Sequence, residues 1–229
     1  MTIYMDVVSL MPPTFKDREN GCRRDLAEML AELHPTFVRF PGGCYIEGTW
    51  RDGQTNRFEW KKTIGPIEER PGHWNINWGY RVSDGLGLHE LLQLTEDLGA
   101  EPLFVCNIGL GHGWMVNYQD LNDYIQEALD LIEYCNGDVT TTYGALRAEN
   151  GHPEPFGIRL IEIGNEHYNY SFNNNNDQSD HYVERYQQFY DAIKSKYPEM
   201  ILIGNVESWG TDNPTWRNGS PVDLVDEHY

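Results

Sequence analysis

Basic side chains are scarce in this chain: 17 Lys and Arg stand against 36 Asp and Glu among 229 residues, a formal charge of −19. Nucleic-acid binding rests on clustered cations that neutralise phosphates, and no Lys/Arg stripe is present, which argues against a nucleic-acid partner. Long apolar runs are also missing. None approaches the roughly 20 residues that a membrane span needs, and Met1 to Leu10 has no basic segment followed by an apolar core, so neither a span nor a signal peptide is visible and the compartment stays open. Cysteine is sparse: Cys22, Cys44, Cys106 and Cys135 lie far apart with no C-x-x-C pair, which reads as free thiols rather than a zinc ribbon or redox motif. The eight histidines are dispersed and His89-Glu90 lacks the second His of H-E-x-x-H, so no metal or cofactor is expected. No G-x-G-x-x-G or P-loop occurs. The nearest approach, Gly109 to Gly113, lacks the third glycine at the required spacing and reads as a flexible loop.

What is present is enough for a buried core. With 39% hydrophobic and 13% aromatic residues, the chain is too apolar for disorder, and its length fits one barrel or layered α/β domain. Two periods alternate along it. Leu26, Met29, Leu30 and Leu33 mark a helix from Asp25 to Leu33, followed by an apolar run, Phe37 to Phe40, that ends at Pro41-Gly42-Gly43. Leu88, Leu91, Leu92, Thr95 and Leu98 mark a second helix that stops at Gly99, ahead of a strand from Leu103 to Cys106. A third helix carries Leu121, Ile125, Ala128, Leu129 and Ile132, and the strand Ile158 to Ile163 runs into Gly164-Asn165-Glu166. A fourth, through Tyr182, Tyr186, Phe189, Tyr190 and Ile193, precedes a strand from Met200 to Ile203, and a last strand covers Val222 to Val225. The long stretch from Pro41 to Gly85 carries no convincing strand series.

Apolar strands separated by amphipathic helices predict a parallel sheet covered by helices, with polar residues gathered at strand carboxyl ends: Asn107, Asn165, Glu166, Asn205 and His228. Both the closed barrel and the open doubly wound sheet bind ligands there. A carboxylic acid at such a rim can protonate a glycosidic oxygen, and a neighbouring Asn can hold a sugar hydroxyl. The G-N-E triplet alone reads more readily as a helix cap and a solvated acid than as a catalytic pair.

The words around that triplet, taken in order, resemble glycoside hydrolase family 51, the α-L-arabinofuranosidases. The segments are Val38-Arg39-Phe40-Pro41-Gly42-Gly43-Cys44, Lys61 to Pro66, Leu94 to Asn107, Tyr143-Gly144-Ala145-Leu146-Arg147 and Glu162-Ile163-Gly164-Asn165-Glu166, and the likeness runs from about Ser9 to Tyr229. The resemblance implies a retaining glycosidase on a (β/α)8 TIM barrel acting on arabinofuranosyl-containing carbohydrate, without a cofactor. It places Glu166 as the acid/base at the end of strand four, Asn165 on the hydroxyl next to the anomeric carbon, Arg39 and Cys44 beside the sugar, and His228 on strand six near the nucleophile. An eight-stranded barrel exceeds the five strands found, so the reading is an incomplete barrel, about strands two to six, over 13–229. Residues 1–12 then form the tail of a preceding β-rich segment. The family's nucleophile, a Glu on strand seven, has no counterpart here.

Within the chain, Glu207, Glu47 and Glu227 are the available substitutes for the second carboxylate, none singled out by its spacing. Trp74, Trp78, Trp114 and Trp209 are read as rim indoles that either stack on sugar or pack the loops. Cys44 has no His near it in sequence, which favours a contact residue over a nucleophile. The alternative to a catalytic domain is a non-catalytic sugar-binding fragment; association into oligomers is left open. Three structural expectations follow. Strand alternation puts Glu162 and Glu166 on one side and turns Arg39, Glu162 and His228 toward one interior, where Arg39 should be largely buried with a carboxylate partner. The first and last strands should each have an open edge, and apolar helix faces should lie uncovered.

Overall fold

The structure, a computed structural model, describes residues 3, 5, 8, 10–166, 182–205 and 221–228. Its centre is a parallel sheet of five strands: β1 (Phe37–Phe40), β4 (Glu101–Cys106), β7 (Leu160–Ile163), β8 (Ile201–Asn205) and β9 (Leu224–Asp226). They are paired in that order, so among the described residues β1 and β9 form the two edges, as expected. β4 and β7 are nearly continuous runs of buried apolar residues because both of their faces are covered.

Helices connect the strands. α3 (Leu88–Leu98) and α4 (Asn122–Asn136) turn Leu88, Leu92, Ala128, Leu131, Ile132 and Cys135 into the core, and α6 (Tyr182–Lys196) adds Tyr182, Tyr186, Phe189 and Ile193. These positions recur every three or four residues, the interval that keeps side chains on one helix face. His89-Glu90 has a structural role here. The Glu90 carboxylate accepts from the Gly87 N–H at 2.9 Å, capping α3, and pairs with Arg70 at 2.7 Å.

Several elements were not anticipated. The short α2 (Gly43–Glu47) follows β1 directly, and the stretch taken as strandless holds a small hairpin of β2 (His73–Asn75) and β3 (Tyr80–Val82). The supposed flexible loop at Gly109 to Gly113 contains β5 (Leu110–Gly111), which pairs with β6 (Trp114–Met115). Two features make that loop ordered. The Asn107 side chain accepts from the Gly109 N–H at 2.6 Å, and the buried Arg185 guanidinium donates to the Ile108 carbonyl at 3.0 Å and also to that of Val116. The helix α5 (Thr142–Glu149), missed as an element, is capped by Thr141, whose Oγ1 accepts from the Gly144 N–H at 3.1 Å. Its buried Arg147 reaches the carbonyls of Tyr134, His152 and Pro153 at 2.8–3.0 Å, which ties the following turn to the core.

The first helix, α1 (Arg24–Glu32), forms at the expected place, yet its apolar residues do not enter the core. Leu26, Met29 and Leu30 are exposed, as are Leu33 just beyond it and Phe37 on the edge strand β1, while Ala27 is buried. Among the described residues nothing covers this face, in agreement with the expected uncovered helix. Of the β-rich tail expected over 1–12, positions 3, 5, 8 and 10–12 carry no strand, and the others lie outside the described residues.

Candidate active site

Strand register explains how the site assembles. Arg39 of β1 is level with Leu103, and Leu103 with Leu160, so Arg39 stands two positions before Glu162 of β7 in the sheet. An offset of two keeps both side chains on one face, about 6.6 Å apart along the strands. The long Arg side chain spans that offset. Its Nε and Nη2 each donate to a Glu162 oxygen at 2.6 Å, and Nη2 also donates to Asn165 Oδ1 at 2.8 Å. The expected carboxylate partner is therefore present. The expected burial is only partial: the Arg39 side chain is 27% exposed, because it lies on an edge strand, whereas Glu162 in mid-sheet is 1% exposed.

The turn after β1 is fitted around this guanidinium. Gly42 has φ +59°, and a Cβ there would sit 2.3 Å from Arg39 Nη1. Only glycine fits both the conformation and the space. Gly43 then gives its N–H to Asn165 Oδ1 at 3.0 Å, which links the β1 and β7 strand ends.

After Ile163 the chain leaves the strand's alternation: Gly164 has φ +87° and Glu166 φ +49°. A left-handed non-glycine residue costs about 1–3 kcal/mol and persists where the surroundings hold it, commonly at functional sites. Here the hold is His228, whose Nδ1 lies 2.6 Å from Glu166 Oε1 and whose Nε2 lies 2.8 Å from Asp226 Oδ2. An imidazole between two carboxylates donates from both nitrogens as the cation. Burial works against that charge, but the hydrogen bond to Glu166 and the Asp226 carboxylate outweigh it, and the His228 pKa is raised. Asp226 closes the network at 3.7 Å from Arg39 Nη2.

Two carboxylates thus occupy one strand end in different states. Glu162 is sealed among Arg39, Asn205 Nδ2 at 3.0 Å and the sheet, and burial pushes its pKa up to about 7 against the pull of Arg39, with Asp226 adding to the rise. Glu166 is 38% exposed. Only Glu166 of the two is open to a ligand. Asn165 is buried, and its Oδ1 already accepts two hydrogen bonds, from Arg39 and Gly43.

The structure brings four of the predicted residues, Arg39, Asn165, Glu166 and His228, into one connected cluster. Cys44 stands one residue past Gly43 at the start of α2, half-buried, beside Glu47 and His112. These three are the described residues whose donor types and spacing could hold a metal ion. Asp226, Asn205 and Glu162 were not proposed as site residues. Alternation had turned Glu162 toward the interior with Arg39, as found, but β7 ends at Ile163, so alternation does not set the direction of Glu166; Asp226 and Asn205 had only their positions at strand ends. Glu47, weighed as a second carboxylate, is buried against His112 at 3.1 Å rather than beside Glu166. Glu207 lies outside the described residues, as does Trp209. Trp114 is 7% exposed and stacked on Tyr124 with ring centroids 6.3 Å apart, which makes it a packing residue, whereas Trp74 and Trp78 are exposed. A cleft of 620 Å³ lined by Trp50, Asn56, Arg57, His73 and Asp84 contains none of the five predicted site residues. Among the described residues no strand pairs with the outer sides of β1 and β9, which flank the strand-end cluster.

Comparison with known proteins bears on this cluster. A family model described as the alpha-L-arabinofuranosidase 1 domain matches residues 29–229. The chain is 41% identical to alpha-L-arabinofuranosidase 1 of Arabidopsis thaliana over 99% of its own length and 31% of the relative's. It is 39% identical to an extracellular exo-alpha-L-arabinofuranosidase of Streptomyces chartreusis, over 98% of this chain and 28% of that one. Among solved structures, an arabinose-bound GH51 α-L-arabinofuranosidase superposes with a TM-score of 0.77 at 39% identity, covering 92% of this chain and 31% of that one. The arabinose complex of the Thermotoga maritima α-L-arabinofuranosidase gives 0.70 at 26% identity, over 95% and 40%. The chain spans about a third of the length of the curated relatives it matches.

Proposed function

We propose, because the chain belongs to the alpha-L-arabinofuranosidase 1 domain family, that it supplies the acid/base half of a retaining glycosidase that releases terminal α-L-arabinofuranosyl residues from polysaccharides or oligosaccharides. The observation that carries this reading is the pairing of an accessible Glu166 with His228 at 2.6 Å, linked through Asp226 to Arg39 and the buried Glu162. In the first step Glu166, protonated, gives its proton to the glycosidic oxygen as the bond to the anomeric carbon breaks. In the second it takes a proton from the attacking water. His228, held by Asp226, orients the Glu166 carboxylate, which the proton taken from water in the second step returns to its acid form. Asn165, fixed by Arg39 and Gly43, takes part in holding the hydroxyl next to the anomeric carbon, and Cys44 lines the same side. Arg39 keeps Glu162 and Asn165 in register.

The five strands belong, in this proposal, to a (β/α)8 barrel. Support comes from the GH51 likeness, the two open sheet edges and the bare apolar face of α1. Retention also needs a second carboxylate, roughly 5–5.5 Å from the first, to attack the anomeric carbon. Glu162 is unsuited, sealed as it is by Arg39, and we place the nucleophile in the part of the relatives' length that this chain does not span. The partner class is arabinofuranosyl-containing carbohydrate.

The test is stereochemical. The protein that carries this chain together with the remaining strands is incubated with an aryl α-L-arabinofuranoside and followed by proton NMR. The first sugar formed should be the α-anomer, while the 229-residue chain alone stays at background. Initial β-anomer, or robust turnover by the chain alone, refutes the assignment of roles.

A further inference from the structure

Beside the Glu166 cluster, three side chains of metal-binding type meet where α2 approaches the β5–β6 hairpin. The ligand atoms of Cys44, Glu47 and His112 all lie within 4.8 Å of one another. Cys44 and Glu47 are three apart on α2 and so share a face, while His112 comes from 65 residues beyond Glu47. The fold, rather than a local motif, assembles the group.

All three rest on ordered backbone. The His112 N–H donates to the Gly48 carbonyl at 2.9 Å, and its own carbonyl accepts from the Trp50 N–H at 3.0 Å. Asn107 Nδ2 donates to the carbonyls of Ile46 and Glu47 at 2.8 and 3.3 Å, and Asn77 Nδ2 to that of Cys44 at 3.0 Å. The Glu47 side chain is 1% exposed. A carboxylate taken out of water needs positive charge close by.

Geometry and donor type limit what an added cation can be. Tetrahedral zinc holds sulfur at about 2.3 Å and nitrogen or oxygen at about 2.0–2.2 Å, which sets donor separations of about 3.3–3.6 Å. His112 Nε2 and Glu47 Oε2 are already 3.1 Å apart. The remaining separations close with side-chain adjustments of about 1 Å or a little more. The donor set of one thiolate, one imidazole and one carboxylate does not suit Mg2+ or Ca2+, which take oxygen ligands, and suits a softer divalent ion.

We propose that Cys44, Glu47 and His112 bind a thiophilic divalent cation of the zinc class, with the fourth coordination position left to water or another ligand. Binding displaces the Cys44 thiol proton and the second imidazole proton to solvent, with no change in oxidation state. The ion would neighbour the sugar site, since Gly43, adjacent to Cys44, is bonded to Asn165 at 3.0 Å.

The experiment uses Co2+ as a spectroscopic probe in the metal-stripped protein that carries this chain, with Zn2+ equilibrium dialysis in parallel. The expected result is one ion per chain and a near-ultraviolet thiolate-to-cobalt charge-transfer band that Zn2+ abolishes. Cys44→Ser, a near-isosteric change at a half-buried position, should remove the band, and His112→Gln and Glu47→Gln should each weaken Zn2+ retention by about tenfold or more. Circular dichroism confirms that each variant is folded, and the Cys44→Ser result stands alone if a Glu47 variant is not. A band that survives in Cys44→Ser assigns the metal to another thiol and overturns the proposal. So does the absence of both band and stoichiometric Zn2+, which leaves the three side chains as a hydrogen-bonded network.

Discussion

Replacing Arg39 with Met keeps much of the side chain's apolar stem and removes the guanidinium that holds Glu162. Arg39 makes two hydrogen bonds of 2.6 Å to Glu162 and a third of 2.8 Å to Asn165. Hydrogen bonds to a charged group are worth about 1.5–3 kcal/mol, and removing one partner of a buried pair costs about 3–5 kcal/mol. Arg39 is itself 27% exposed, so solvent screens part of the pair and the lower figure, about 3 kcal/mol, applies. Protonation sets a ceiling. Burial already raises the Glu162 pKa to about 7 with Arg39 in place, and without it the orphaned carboxyl takes up a proton near neutral pH. A carboxyl whose folded pKa is raised binds more protons in the native state, so its penalty is absent below about 4.5 and grows as pH rises through that window and beyond. The loss in Arg39→Met should therefore be larger at pH 8.5 than at pH 6. Urea unfolding at both pH values measures it, and Arg39→Met with Glu162→Gln should recover much of the loss, since neither charge is then stranded. A loss below about 1 kcal/mol at both pH values, or one larger at the acid end, refutes the reasoning.

Two further perturbations follow from the same physics. His89 is buried against the Tyr134 hydroxyl at 2.8 Å, and burial lowers its pKa to about 4. A depressed histidine contributes its stability in full above about 6.5 and loses it as pH falls toward 4, about 3 kcal/mol at 1.36 kcal/mol per unit. His89→Phe should flatten the pH dependence of the unfolding free energy across that window, and an unchanged slope would remove His89 as its source. Gly42→Ala puts a Cβ 2.3 Å from Arg39 Nη1 at φ +59°. The guanidinium is held by three hydrogen bonds and cannot step aside without losing them. The change should cost about 2–4 kcal/mol in chemical denaturation, against the tolerance expected if the turn were slack.

Periodicity located the sheet and its helices because most of these elements bury one clear face. The strands at Phe37, Leu103, Leu160 and Ile201 and the helices ending at Leu98 and Lys196 could all be read within a few residues. Where it fell short, side chains rather than periods held the backbone. The loop at Gly109 depends on Asn107 and on Arg185, which is 76 residues away, and α5 is too short and too polar to announce itself. The family motif led to Arg39, Asn165, Glu166 and His228. Strand alternation turned Glu162 toward the same interior as Arg39, while the two-residue offset that joins them is set by the pairing of β1, β4 and β7. Likewise no spacing rule links Cys44 to His112. The apolar stripe of α1 was legible, but its exposure was a matter of what lies beside it in space.

The account turns on Glu166 as the proton donor, and leaving-group dependence tests this most directly. In the protein that carries this chain together with the remaining strands, Glu166→Ala should slow arabinofuranosides with poor leaving groups by about 10²–10⁴ in kcat/KM, the ordinary worth of general acid assistance. Aryl arabinofuranosides with activated leaving groups, which depart without protonation, should lose far less in the glycosylation step. Equal losses for the two substrate types, or full activity with both, would contradict the account.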